Sequence, residues 1–292
     1  MKRILLTLIF TLFAFNTNNA QDLLDLLGDD EDETTEYVNA SFKTTRVINA
    51  QSLENVAGGV LDFKISHRFG KVNQGAYELW GLDNASMRMG FDYGINDWFM
   101  IGIGRSTIGK TYDAFFKAKV LRQSTGKKKM PLSVLVYGGL TNKTLRRTEA
   151  EDDILSFKHR LAYTAQVIIG SKLSKNTSIE ILPTIVHRNL TATEAEKNTV
   201  FALGFAGRQK ITKRLAINAE YFFVAPDQVA EGITNSLSLG LDIETGGHVF
   251  QLHFTNARAM HDNGFITETT GDWLDGDIYF GFNISRVFTV VR

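Results

Sequence analysis

Cysteine is absent from this 292-residue chain, which excludes thiol catalysis, disulfides and any Cys-ligated metal site. An excess of one charge is missing too, since 32 basic residues balance 32 acidic ones. That balance leaves no global basic surface for nucleic acid and no acidic excess to keep the whole chain solvated. Proline is scarce, with 3 residues, whereas glycine (25) and phenylalanine (21) are frequent. The apolar run Ile4–Phe15 falls short of the roughly 20 residues that a membrane-spanning helix needs. Preceded by Lys2 and Arg3 and followed by Ala20, it has the three-part form of an export signal, assigned to residues 1–20. No Cys follows that could carry a lipid anchor.

Residues 21–40 read as an acidic, disordered lead, because Gly28–Glu36 repels itself and has little apolar surface to bury. Residues 41–59 have mixed polarity and no clean period. They are expected either on the periplasmic side or along the inside of the main domain, residues 60–292. From Val60 the period becomes two and stays there, the mark of strands with one apolar and one polar face. In VLDFKISHR, Leu61, Phe63 and Ile65 oppose Asp62, Lys64 and Ser66. In NSLSLGLDIE, Leu237, Leu239, Leu241 and Ile243 oppose Ser236, Ser238, Gly240 and Asp242. About twelve such runs occur, mostly near the ~9–11 residues of a tilted transmembrane strand. Long polar connections alternate with short ones, with the Ser124–Met130 turn as an exception. An up-and-down antiparallel meander in an outer membrane has this pattern.

Three features turn the apolar face toward lipid. About twelve strands exceed the ~8 of a soluble barrel filled by its own side chains. The polar face carries charges near mid-strand. Tyr93, Trp98, Tyr112, Tyr221 and Phe223 lie near strand ends, where membrane interfaces collect aromatic rings. The fold class expected is therefore all-β, an up-and-down transmembrane β-barrel of about twelve strands, with outer-membrane lipid around it. An unpaired edge is costly in hydrocarbon, so the last strand must pair with the first.

The segments SFKTTRVIN, GVLDFKISHRFG and LWGLDNASMRMGFDYGINDWFMIGIGRS carry a resemblance to an uncharacterised family of Gram-negative outer-membrane β-barrel proteins. It extends from about Ser41 to the C-terminus. The resemblance implies a location and a fold, and no activity.

The candidate lumen residues follow from parity: Lys64, Arg88, Asp92, Lys117, Lys119, Arg160, Glu180, Arg188, Glu220, Asp242 and His253. They either line a narrow passage for a small polar solute or form ion pairs that fill a non-conducting scaffold barrel. The scaffold would use the acidic lead or the Lys127–Lys129 turn to meet a periplasmic or envelope partner. No cofactor and no metal site is expected, since a single His253 without placed partners does not make one. A lipid hydrolase is a third reading, but Ser66 and His67 are adjacent in a strand and point to opposite faces. His67, His159 and His187 fall near strand ends on the apolar parity.

One motif opposes this reading. GRSTIGKT, Gly104–Thr111, fits the phosphate-cradling P-loop letter by letter. A working P-loop needs a buried strand before it and a helix after it, and no βαβ series follows here. The segment is expected to be a turn between the third and fourth barrel strands, without nucleotide-binding function.

Overall fold

The computed structural model describes residues 34–246 and 248–291. The expected export signal and the first part of the acidic lead lie outside those residues. The strands are β1 (Thr35–Tyr37), β2 (Val60–Lys71), β3 (Ala85–Asn96), β4 (Phe99–Ser106), β5 (Thr111–Leu121), β6 (Ser124–Gly126) and β7 (Ser133–Lys143). They continue with β8 (Leu161–Lys172), β9 (Thr177–Arg188), β10 (Thr199–Lys210), β11 (Leu215–Val224), β12 (Ser236–Thr245), β13 (His248–Thr255) and β14 (Tyr279–Thr289). Two short helices, α1 (Glu149–Ile154) and α2 (Asp262–Thr267), lie in connections.

Twelve strands, all but β1 and β6, close into one antiparallel barrel in sequence order. The seam joins β14 to β2, with Ile284 opposite Ile65 and Phe288 opposite Leu61. Closure leaves no open edge within the barrel, as hydrocarbon requires. Side-chain parity decides the faces. In β9, Ile179, Ile181 and Ile185 are exposed, whereas Glu180, Leu182, Thr184 and Val186 are buried. Phe91, Ile103, Phe116, Phe201, Phe205 and Phe254 extend the exposed apolar belt around the outside. Such a belt is far too large for a soluble monomer. The β8–β9 ladder lapses between Gln166–Thr184 and Ile169–Ile181, where Pro183 has no N–H to donate.

The connections sort by length. One end carries residues 72–84, 107–110, 144–160, 189–198, 225–235 and 256–278, and the other carries 97–98, 122–132, 173–176, 211–214 and the short link between β12 and β13. Long connections therefore gather at one end, with the four-residue link 107–110 and the long 122–132 link as exceptions.

Two sequence expectations need correction. The lead was expected to be disordered to residue 40, yet Thr35–Tyr37 forms β1 and pairs with β6 in a two-stranded ribbon at the short-turn end. The ladder and the Arg122 guanidinium, 4.2 Å from the Tyr37 ring centre, order it. Arg160 does not sit in a strand facing the mid-lumen. It ends a 3₁₀ turn before β8 and donates to the carbonyls of Lys143 and Leu145, because a local turn replaces the strand start that its parity suggested.

Candidate functional site: a doubly plugged lumen and its mouth

The polar inner wall does not face water. Residues 41–59 enter from the short-turn end, turn back inside the barrel and leave at the same end into β2. Val47 N–H donates to Ala50 O at 2.8 Å and Ser52 N–H to Thr45 O at 3.0 Å, closing a tight hairpin bridged between Arg46 and Gln51. This sequence shows no strand period because its partners are lumen side chains rather than a ladder.

The Glu220 carboxylate accepts the backbone N–H groups of Ile48, Asn49 and Ala50 at 2.9–3.0 Å. Glu180 accepts Leu53 N–H at 3.1 Å. Lys117 Nζ donates to Thr45 O and Ser52 O, both at 3.0 Å. Arg68 reaches Asn49 Oδ1 at 2.7 Å, Gln251 donates to Val47 O at 2.7 Å and Asn283 to Ile48 O at 3.1 Å. Lys64 bridges Thr45 Oγ1 and Asp92, the latter at 2.8 Å. The hairpin's backbone polar groups thus find partners on the wall, as burial demands.

Phe42, Val47, Ala50, Leu53 and Val56 are buried in one apolar cluster with Met100, Leu135, Ile168, Leu182, Val200 and Phe222. One part of the inner wall is therefore apolar. Parity alone misses it, because a residue such as Leu182 or Val186 looks like a second lipid-facing position until the strand is aligned.

A second insertion descends from the long-loop end. All residues of α2 are buried, and Phe265 stands edge-on to Phe222 at 5.1 Å between ring centres. Tyr137 donates to Asp262 at 2.6 Å. The His261 side chain caps α2, with Nδ1 accepting Gly264 N–H at 3.1 Å. Burial depresses the His261 pKa below its usual range, although Glu268, Asp113 and Asp262 pull it upward. Because Nδ1 accepts the Gly264 N–H it carries no proton, and the ring's proton sits on Nε2.

Among the predicted lumen residues, Lys64, Asp92, Lys117, Glu180 and Glu220 converge on the hairpin. Arg88 turns instead to Asp113, donating from Nε at 2.8 Å and from Nη2 in a second, shorter bond. Asp242 lies 3.6 Å from Arg208 and accepts from Gln251. Arg188 stands at the long-loop end, 2.6 Å from Glu196. Lys119 is half-buried near the short-turn mouth. His253 is buried with both ring nitrogens unpartnered, against Gly281. Asp62, Arg68, Asp113 and Arg208 share the inward parity and belong with these groups. Among the described residues, no cluster of three or more His, Asp or Glu side chains could hold a metal ion.

The P-loop look-alike is strand, turn and strand. Its first three residues end β4, a short turn over 107–110 follows, and Thr111 opens β5, so no helix N-terminus faces any phosphate. Gly104 has a barrel role. A Cβ there would lie 2.2 Å from Arg88 Nη2, so the missing side chain gives the Arg88–Asp113 pair its room. Of the histidines at strand ends, His67 stacks on Phe282 and His187 bonds Thr199. His159 Nδ1 accepts Ser156 N–H within its own turn, with Ser156 Oγ at 3.3 Å. Among the described residues, none of these three has a carboxylate bonded behind it.

Above α2, the long-loop mouth holds a cavity of about 270 Å³. Lys143, Arg146, Arg147, Arg160 and Arg188 line it, against the two carboxylates Glu151 and Glu268. A larger, apolar groove beside Phe205 and Ile181 lies on the outer face and belongs to the lipid contact.

A family model described as a membrane-bound beta barrel domain (DUF5777) matches residues 42–288. No curated protein matches the chain. Among solved structures, the NanC porin aligns at 9% identity with a TM-score of 0.48, covering 79% of this chain and 100% of that one. The KdgM porin aligns at 7% identity with a TM-score of 0.47, covering 78% and 99%. An outer membrane channel from Pseudomonas putida F1 aligns at 13% identity with a TM-score of 0.46, covering 81% and 98%. At such identities the likeness concerns the fold alone.

Proposed function

The chain belongs to the membrane-bound beta barrel domain family, and from that premise we propose that it is a gated outer-membrane passage for small polar solutes, held closed by residues 41–59. The export signal over residues 1–20 and an orientation with the short-turn end in the periplasm are part of the same reading. The observation that carries it is the route of the hairpin. It enters and leaves the lumen at one end, between β1 and β2, so it can be withdrawn without threading the chain through the barrel. Behind it stands an inner wall of charged groups, Lys64, Asp92, Lys117, Glu180 and Glu220, that would hydrate once the hairpin left. Burying each apolar side chain contributes about 1.5–3 kcal/mol, and several are buried on the hairpin, so the closed state dominates at rest.

Planar-bilayer conductance tests this with three proteins: the full chain, a variant lacking residues 41–56, and that variant with residues 259–268 replaced by a Gly-Ser linker. The full chain should be silent apart from rare openings, and removing the insertions should give steady conductance. Well-folded variants that all remain silent overturn the channel.

The second reading is a non-conducting barrel that anchors a partner. The apolar cluster shared by Phe42, Leu53, Leu182 and Val200 favours it, because it joins hairpin and wall as one core. A hydrolytic reading finds no support in the geometry, since neither Ser66–His67 nor Ser156–His159 is backed by an orienting carboxylate.

A further inference from the structure

The cavity at the long-loop mouth has the composition of a binding site. Strand ends supply its wall through Thr111, Thr141, Ala162 and Arg188, and α2 supplies its floor through His261 and Asn263. Arg188 and Lys143 are paired, with Glu196 at 2.6 Å and Glu268 at 3.4 Å. Glu151 is engaged by the Thr148 backbone and hydroxyl. Arg147 donates to the carbonyls of Leu155 and Ser156, and among the described residues neither it nor Arg146 forms a salt bridge with a carboxylate. The lining therefore keeps a surplus of cationic groups in a recess, where field lines are focused.

A second observation points the same way. His261 Nε2 and Arg188 Nε are buried and have no hydrogen-bond partner, while both residues line the cavity. The His261 tautomer fixed by Gly264 N–H makes Nε2 a donor. Arg188 Nε is a donor by chemistry. Buried donors without acceptors are costly, and here two of them border one cationic recess.

We propose that this cavity binds a small soluble anion, a sugar-sized molecule bearing phosphate or carboxylate oxygens. Its oxygens accept from His261 Nε2, Arg188 and Arg147, and its charge offsets the surplus on Arg146 and Arg147. A volume of about 270 Å³ sits just below the ~300–1,000 Å³ of drug-sized sites, which suits a single sugar unit. The inference names the solute class of the proposed channel and in that respect rests on that reading. The occupied cavity lies directly over α2, so binding there would act on the upper of the two insertions.

The test is calorimetric titration of the full chain in detergent with glucose 6-phosphate and with glucuronate, using glucose as the neutral control. Lys143→Gln with Arg147→Gln is the variant, its folding checked by heat-modifiable migration. Both anions should bind, weaken as salt rises and lose about tenfold in affinity in the variant, while glucose gives no heat. Arg147→Lys should restore part of the loss. Equal response to glucose, or unchanged affinity in the variant, overturns the site. Capture of lipopolysaccharide vesicles with no response to either soluble anion overturns it as well. The titration involves no conductance. Insertion-deleted variants that stay silent, beside a full chain that binds anions, sink the channel and leave the site, and conducting variants of a chain blind to charge do the reverse.

Discussion

Arg46 lies 3.9 Å from Asp262. The first residue belongs to the hairpin from the short-turn end, and the second opens α2, which descends from the long-loop end. Two insertions that are far apart in sequence thus meet inside the barrel. Arg46 also lies over the Phe115 ring at 5.5 Å, and Asp262 accepts from Tyr137, so the meeting point is tied to the wall from both sides.

Glu220→Gln should loosen the hairpin. The carboxylate accepts three consecutive backbone N–H groups, and hydrogen bonds to a charged acceptor contribute about 1.5–3 kcal/mol each. Limited proteolysis should cut residues 41–59 in the variant well before wild type, with the barrel strands still protected. Equal resistance of the two proteins would show that Glu220 is not what holds the segment.

Gly104→Val should be severe. Its side chain would occupy the space of Arg88 Nη2 and part that residue from Asp113. Separating a buried pair costs about 3–5 kcal/mol, which a lowered heat-modification temperature would register. Ile103→Val, one residue away on the lipid face, serves as the control and should be nearly neutral.

Lys110→Ala should leave stability within about 1 kcal/mol and produce no nucleotide phenotype, since ATP should not shift the thermal transition of either protein. Lys110→Gly should stabilise slightly, because Lys110 holds a φ of 49°, a left-handed conformation that glycine adopts without strain. A thermal shift with ATP that Lys110→Ala removes would restore the P-loop reading.

Acid should release α2. Burial holds the His261 pKa below 6.5, with Arg88 adding to that and Glu268, Asp113 and Asp262 opposing it. The unfolded segment binds a proton before the folded one does, so this stability is present above pH 6.5 and is lost as pH falls. For Glu268, burial works to raise the pKa, but Lys143 and His261 outweigh it and the net shift is downward. Its contribution is likewise lost on acidification, at lower pH. Hydrogen exchange at Gly264 and Phe265, corrected for intrinsic rates, should quicken between about pH 7.5 and about pH 5.5. His261→Asn, which keeps a capping acceptor, should abolish that dependence, and an unchanged response in it would exonerate His261.

The barrel was legible because period two is a local signal. Leu237 through Asp242 announce their faces without reference to any other strand, and the seam follows from the ban on open edges in lipid. The inward parity of Lys64, Asp92 and Glu220 was legible for the same reason. What the charges face was not. Glu220 meets residues 48–50 across a separation of about 170 positions, and nothing in NASFKTTRVINAQSLENV marks it as their partner. The loop HDNGFIT carries Phe265 and Ile266 without a period, so their descent into the lumen shows only in three dimensions. Arg160 misled because a strand pattern was extended one residue into a turn.

The hairpin touches both sides of the seam. Asn283 of β14 donates to Ile48 O, and Arg68 of β2 donates to Asn49 Oδ1. The last barrel strand to leave the ribosome is therefore bridged to the first by a segment made earlier than either. Residues 41–59 are thus placed to template closure, and a barrel deprived of them should assemble more slowly even where its final strand register is the same.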